Sequence, residues 1–159
     1  MAKSKFQDQD HALWWLIIHM RRAMRKIRAK ELLRYGITPE QSSVLFVINA
    51  IGARATPAEI SRCISREPHS VSGLLCRMEQ EGLVERFKDL DRKNMIRIAM
   101  TEKGKKAYQQ TIKRDSIHKV MSCLSPEERR QLRANLEKLW NKALEELGLD
   151  GRTPLLFSE

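Results

Sequence analysis

A chain of 159 residues with 42% hydrophobic and 31% charged side chains is long enough to bury one domain core and too apolar to stay disordered. Its formal net charge of +10 favours a polyanionic partner, but residues 1–35 hold nine basic and three acidic side chains while residues 56–104 hold nine against eight. Three cysteines without a close pair (Cys63, Cys76, Cys123), an apolar run of six residues at 13–18 and the lack of a signal-peptide pattern argue against a disulfide framework, a membrane span and export, so the cytoplasm is the expected location.

The first helix is predicted from about Asp10 to Tyr35, with Gly36 as its stop. Leu13, Ile17, Met20, Met24 and Ile27 form one apolar seam, and Trp14, Trp15, Leu16 and Ile18 widen it nearly all round at the N-terminal end. Such a surface needs more than one neighbour, and in a small protein that neighbour can be another subunit. A second helix, about Pro39 to Ile51, turns Val44, Val47, Ile48 and Ile51 inward and stops at Gly52. Thr38-Pro39-Glu40-Gln41, Thr56-Pro57-Ala58-Glu59 and Ser125-Pro126-Glu127-Glu128 each read as a capping box with Pro at the first helical position.

From Thr56 to Thr101 the pattern is helix, turn, helix, two strands. The turn falls around residues 65–68, the second helix runs from about His69 to Gln80, and strands at 83–88 and 95–100 flank a charged tip. This is the pattern of a winged helix-turn-helix, which places one helix in the DNA major groove and the ribbon against the neighbouring groove or backbone. Thr101 then opens a long helix predicted to reach about Ser122, and a last helix spans about Pro126 to Leu147, with Leu132, Leu136, Leu139, Ala143 and Leu147 in register. The expected fold is mainly α with a small β-ribbon. A winged lobe at 36–101 is flanked by a helical dimerisation region (1–35 and 102–148), and 149–159 forms a C-terminal tail.

Read in order, Gly36-Ile37-Thr38-Pro39-Glu40-Gln41, Ala58-Glu59-Ile60, Ser70-Val71-Ser72, Met78-Glu79-Gln80-Glu81-Gly82-Leu83-Val84-Glu85-Arg86, Asp89-Leu90-Asp91-Arg92 and Met100-Thr101-Glu102-Lys103-Gly104 resemble the MarR family of bacterial transcriptional regulators. The likeness runs from the first helix to about Leu147. It implies homodimers whose terminal helices interlock, with two lobes gripping one pseudo-palindromic DNA site, and release by a small molecule, a metal or oxidation.

In the second helix of the winged segment, Val71, Leu74, Leu75 and Met78 make the core stripe. Arg66, His69, Gly73, Cys76 and Gln80 face the other way, flanked by Ser70 and Arg77 on one side and Ser72 on the other. Arg66, His69, Ser70 and Ser72 are the candidates for bases or phosphates, and Arg77 for the DNA backbone. Gly73 departs from the family, which often carries a larger polar residue there, and it costs the helix roughly 1 kcal/mol relative to Ala. At the ribbon tip the resemblance implies that Arg92 enters the minor groove, oriented by Asp91, with Lys93 beside it. Arg86, Lys88 and Arg97 are further phosphate candidates. The alternative is a solvated helix face and hairpin tip.

The basic cluster on the first helix reads as a solvated face or, where the family's effector pocket would lie, as an anion site using Arg21, Arg25 and Arg28 for a small anionic or aromatic effector. Leu13, Trp14, Ile17, Leu136, Leu139, Trp140, Ala143 and Leu147 are the candidate dimer interface. Cys76 is the candidate reactive thiol and Cys63 a core residue. His11, His19, His118 and Cys123 lack the spacing of a metal site, no cofactor is implied, and no motif suggests an enzyme. A homodimeric repressor on double-stranded DNA is therefore the leading expectation. The other is a winged-helix interaction module, an antirepressor or adaptor without base readout, favoured by Gly73 and the nearly neutral winged segment.

Overall fold

The computed structural model describes residues 8–89, 92 and 94–149; Asp91, Lys93 and most of the expected tail lie outside the described residues. Helix α1 (Gln9–Leu32) starts at Asp8, whose carboxylate accepts the backbone N–H groups of Asp10 and His11. A 3₁₀ turn at Leu33–Tyr35 ends at Gly36 with φ +65°, a left-handed stop that glycine adopts without strain. Helices α2 (Pro39–Ile51) and α3 (Pro57–Cys63) follow, then α4 (Pro68–Gln80), β1 (Val84–Lys88), β2 (Ile96–Met100), α5 (Glu102–Thr111), α6 (Asp115–Met121) and α7 (Pro126–Glu146).

Two of the three expected capping boxes are complete, Thr38 with Gln41 and Ser125 with Glu128. The third is half formed. Thr56 accepts the Glu59 backbone N–H at 3.2 Å, but the Glu59 carboxylate turns to the Thr56 hydroxyl at 3.3 Å instead of the Thr56 backbone. Pro68, expected in the turn, is the first residue of α4, where its missing N–H costs nothing.

The predicted single helix from Thr101 to about Ser122 is instead two, α5 and α6. The break has a physical cause. Arg114 takes a left-handed φ of 54° and lays its guanidinium over the Phe46 ring, 5.3 Å from the centroid. The groups freed at the break find partners on α1: Arg28 donates to the Thr111 carbonyl at 2.6 Å, and the Ser116 N–H and hydroxyl both donate to the Glu31 carboxylate.

β1 and β2 pair antiparallel, with Val84 opposite Met100 and Lys88 opposite Ile96. Ile98 also donates to the Ala55 carbonyl at 3.0 Å, so the segment before α3 lines β2 like a third strand. The core lies under this sheet and between α2, α3, α4 and α5. Val44, Leu45, Val47, Ile48, Ile60, Val71, Leu74, Leu75, Met78, Leu83, Val84, Ile98 and Tyr108 pack there, and Ile51, expected inward, sits half-buried at its edge. In α1, by contrast, Leu32 alone is buried among the described residues, and in α7 no described residue is.

The Glu31 carboxyl is held below its ordinary value of 4.5: burial pushes it up, but hydrogen bonds from Ser116 and Arg28 and the Arg28 charge outweigh that. A carboxyl lowered on folding contributes stability above its unfolded value, and the contribution is lost as pH falls through the folded value. Wild-type protein should therefore lose stability more steeply below pH 4.5 than Glu31→Gln in urea melts across an acid series. Parallel curves would show that this link contributes nothing.

Candidate nucleic-acid interface

The helical period of α4 separates its two faces cleanly. Val71, Leu74, Leu75 and Met78 are buried, while His69, Ser70, Ser72, Cys76, Arg77 and Gln80 are exposed and Gly73 is half-buried. The turn leading into α4 is held by the buried Ser61, whose hydroxyl donates to the Arg66 carbonyl, and by the Arg66 N–H bonded to Ser61 O at 3.1 Å. Arg66 itself reaches back to Glu40 at 3.3 Å, and Arg25 of α1 pairs with the same carboxylate oxygen. Burial raises the Glu40 carboxyl, but a backbone hydrogen bond and the two guanidinium groups hold it below 4.5, so it stays charged at neutral pH.

Arg86 joins the ribbon to α4. It donates to the Ser72 carbonyl at 3.3 Å and lies 3.4 Å from the Glu79 carboxylate. Lys88 is exposed near the end of β1. At the tip, Arg92 is exposed and its backbone N–H donates to Asp89 at 3.0 Å. Arg97 is largely committed inside the lobe: Nε and Nη2 both meet Asp89 Oδ2 at 2.7 Å, and Nη1 donates to the Arg54 carbonyl at 2.7 Å. A cleft of about 430 Å³ lined by Arg54, Thr56, Glu59, Asp89, Arg92, Met95 and Arg97 separates the ribbon from α3. Asp91 and Lys93, candidates on the sequence, lie outside the described residues.

Two organising carboxylates were not singled out in the sequence. Asp89 stands three residues before Arg92, the spacing at which a capping Asp accepts a backbone N–H, so a local signal existed. Glu40 had none, because its bond to Arg66 spans 26 residues.

The remaining candidates separate by partner. Arg21 is exposed, Arg25 is paired with Glu40, and Arg28 is tied to Glu31 and Thr111, so the three do not converge on one open site. Cys63 packs against the core and burial raises its thiol, whereas Cys76 is exposed. On α1, Trp15 donates from Nε1 to His11 Nε2 at 2.8 Å and stacks on His19 with centroids 5.3 Å apart. Among the described residues no group of three or more His, Cys, Asp or Glu is placed to hold a metal ion. No helix among them is long and apolar enough to cross a membrane.

A helix-turn-helix whose second helix turns a polar face outward, closed by an antiparallel ribbon and flanked by long terminal helices, defines a winged helix-turn-helix protein. Residues 35–93 match the model of the MarR family. Over nearly its whole length the chain also resembles the organohalide-sensing transcriptional regulator RdhR in its 2,4-dichlorophenol-bound form, with TM-score 0.85, 29% identity and 99% of each chain covered. The family match falls on the winged lobe, residues 35–93, and beyond it the chain is similar to these regulators in fold. The S. aureus MepR–DNA complex matches with TM-score 0.76 and 25% identity, covering 86% of this chain and 99% of that one. A cysteine-to-serine mutant of MarR from E. coli, complexed with operator DNA, shares the fold, with TM-score 0.77, 22% identity, and 86% of this chain and 99% of that one covered. A search of curated protein sequences finds no match.

Proposed function

We propose that this protein is a homodimeric, sequence-specific DNA-binding transcriptional repressor that lets go of its operator when a small aromatic or anionic effector binds. The observation that carries the reading is α4: a helix packed by one stripe into the lobe, with His69, Ser70, Ser72 and Arg77 left outward and a ribbon tied to it through Arg86. In this reading those side chains, with Arg66, read bases or phosphates in the major groove, while Arg92 reaches the neighbouring minor groove. Lys88 is a phosphate contact in this reading, and Asp91 and Lys93, outside the described residues, stay candidates from the sequence, Asp91 to orient Arg92 and Lys93 to contact DNA. Arg97 and Asp89 act by holding the ribbon rather than by touching DNA.

The dimer in this proposal is built from the terminal helices (1–35 and 102–148). Trp14 is 66% exposed, Leu139 55% and Leu147 69% in a single chain, an apolar surface that a second copy would cover. A relative with 29% identity crystallised with 2,4-dichlorophenol supports an aromatic effector; of the α1 arginines Arg21 is exposed, whereas Arg25 is paired with Glu40.

The test is to capture fragmented genomic DNA on the purified protein at about 150 mM salt and sequence what is retained. A pseudo-palindrome with half-sites about one helical turn apart supports the reading. Failure to enrich any sequence overturns it in favour of an interaction module. On the recovered site, affinity should fall by about 10³–10⁵ between 50 and 200 mM salt if 6–10 phosphates are contacted. Arg92→Ala should weaken binding by about 1–3 kcal/mol, roughly fivefold to over a hundredfold, in a fluorescence-anisotropy titration. An unchanged Kd would remove Arg92 from the interface.

A further inference from the structure

Gly73 stands in the middle of α4, and nothing among the described residues explains why it is a glycine. Its backbone is ordinary helix with no positive φ. A methyl group added at its Cα would meet nothing closer than the Arg77 guanidinium at 3.8 Å, an ordinary contact with the end of a flexible side chain. Gly104 provides the contrast, since there the added carbon would fall 1.9 Å from a backbone carbonyl. A glycine inside a helix weakens it relative to alanine. At Gly73 that loss is offset by no turn, no left-handed backbone and no close packing among the described residues.

What remains is an approach from outside. Gly73 lies on the face of α4 opposite the buried stripe, one residue from Ser72 and three from Ser70. Arg86 crosses from the ribbon to the Ser72 carbonyl, so the segment bearing Gly73 is braced from the ribbon side, and beside the half-buried glycine the nearest group is the end of the flexible Arg77 side chain. A residue that exposes bare backbone in a groove-facing helix brings the helix axis nearer to the base-pair edges by the depth of a side chain.

We propose that Gly73 is a specificity-determining close-approach point, at which the α4 backbone meets one base pair of each half-site and selects it by fit instead of by a side-chain hydrogen bond. The proposal rests on the DNA-binding reading above and adds how one position of the site is chosen. A base pair carrying a thymine methyl, or one with a bare edge, would be distinguished there by the space it fills.

The experiment compares wild type with Gly73→Ala, a substitution the free protein accommodates. Both are put through selection from a duplex library randomised over about three helical turns, and Kd is then measured on the wild-type consensus and on a scrambled duplex. The proposal expects Gly73→Ala to melt a few degrees higher, to bind the consensus about tenfold or more weakly, to bind scrambled duplex as wild type does, and to lose or change its preference at one base pair per half-site. Equal Kd values on the consensus, or an equal loss on both duplexes, would overturn it. A lower melting temperature would also overturn it, by showing that the glycine serves the fold. If wild type itself selects no consensus, the DNA-binding reading fails and this inference falls with it. If wild type selects one and the alanine variant matches it, this inference fails alone.

Discussion

Replacing Trp14 and Leu139 together by glutamate is expected to convert the proposed dimer into monomers without unfolding the winged lobe. Both side chains are more than half exposed in a single chain, and neither contributes to the core under the ribbon, so their loss leaves that core intact. In the proposed dimer each would be covered twice, once per subunit. Burial of a large apolar side chain contributes roughly 1.5–3 kcal/mol, so four such sites place the loss near 6 kcal/mol or above, more than a 10⁴-fold rise in the dissociation constant. The glutamates add like-charge repulsion to that. Sedimentation velocity at micromolar concentration reads the change directly, and an intact helical spectrum and melt confirm that the lobe is folded. A wild-type sedimentation coefficient in the double variant would mean that the terminal helices are covered by something other than a second copy. DNA affinity should fall with the dimer, because each monomer would hold a single half-site.

Gly104→Ala is expected to produce the largest loss of stability from a single methyl group. The added carbon would lie 1.9 Å from the Leu83 carbonyl oxygen and 3.4 Å from Met100 Cβ. The obstruction is backbone, so no rotamer relieves it. That carbonyl already accepts the Thr101 N–H at 3.2 Å, and the Thr101 hydroxyl both caps α5 through the Gly104 N–H and donates to the Gly82 carbonyl. Admitting the methyl therefore means pulling α5 away from the start of the ribbon. Overpacking of this kind costs about 3 kcal/mol or more, which in a chain of this size lowers Tm by roughly 6–12 °C. Urea and thermal melts of the two proteins measure it, and a shift under about 2 °C would show that α5 can slide to accommodate the methyl group. The same geometry gives a physical meaning to the glycine of the motif Met100-Thr101-Glu102-Lys103-Gly104, which in the sequence read as a helix start and as part of a resemblance.

Much of the fold was legible because its signals are local. Hydroxyl caps followed by proline marked the starts of α2, α3 and α7, and Gly36 and Gly52 marked ends. The spacing of Val71, Leu74, Leu75 and Met78 identified the buried stripe of α4 and, by subtraction, the face that carries His69, Ser70 and Ser72. The division of α5 from α6 was not legible. No glycine or proline marks it, and a left-handed Arg114 is stable there because Phe46, Arg28 and Glu31, all distant in sequence, compensate for the broken helix. The partly closed capping box at Thr56 is a similar case, decided by where the Glu59 side chain came to rest.

By itself, then, the sequence determined the order and kind of the elements, the winged helix-turn-helix pattern and the apolar seams on the terminal helices, because helical and strand periodicity and caps act over a few residues. The tertiary structure alone decided which charges are free. Of the arginines grouped as one basic face or one ribbon, Arg28 and Arg97 are drawn into hydrogen bonds within the fold, Arg25 and Arg66 share Glu40, and Arg92 stands exposed at the tip. An ion pair depends on two side chains meeting in space, and nothing in the local spacing of either one records where the other will be.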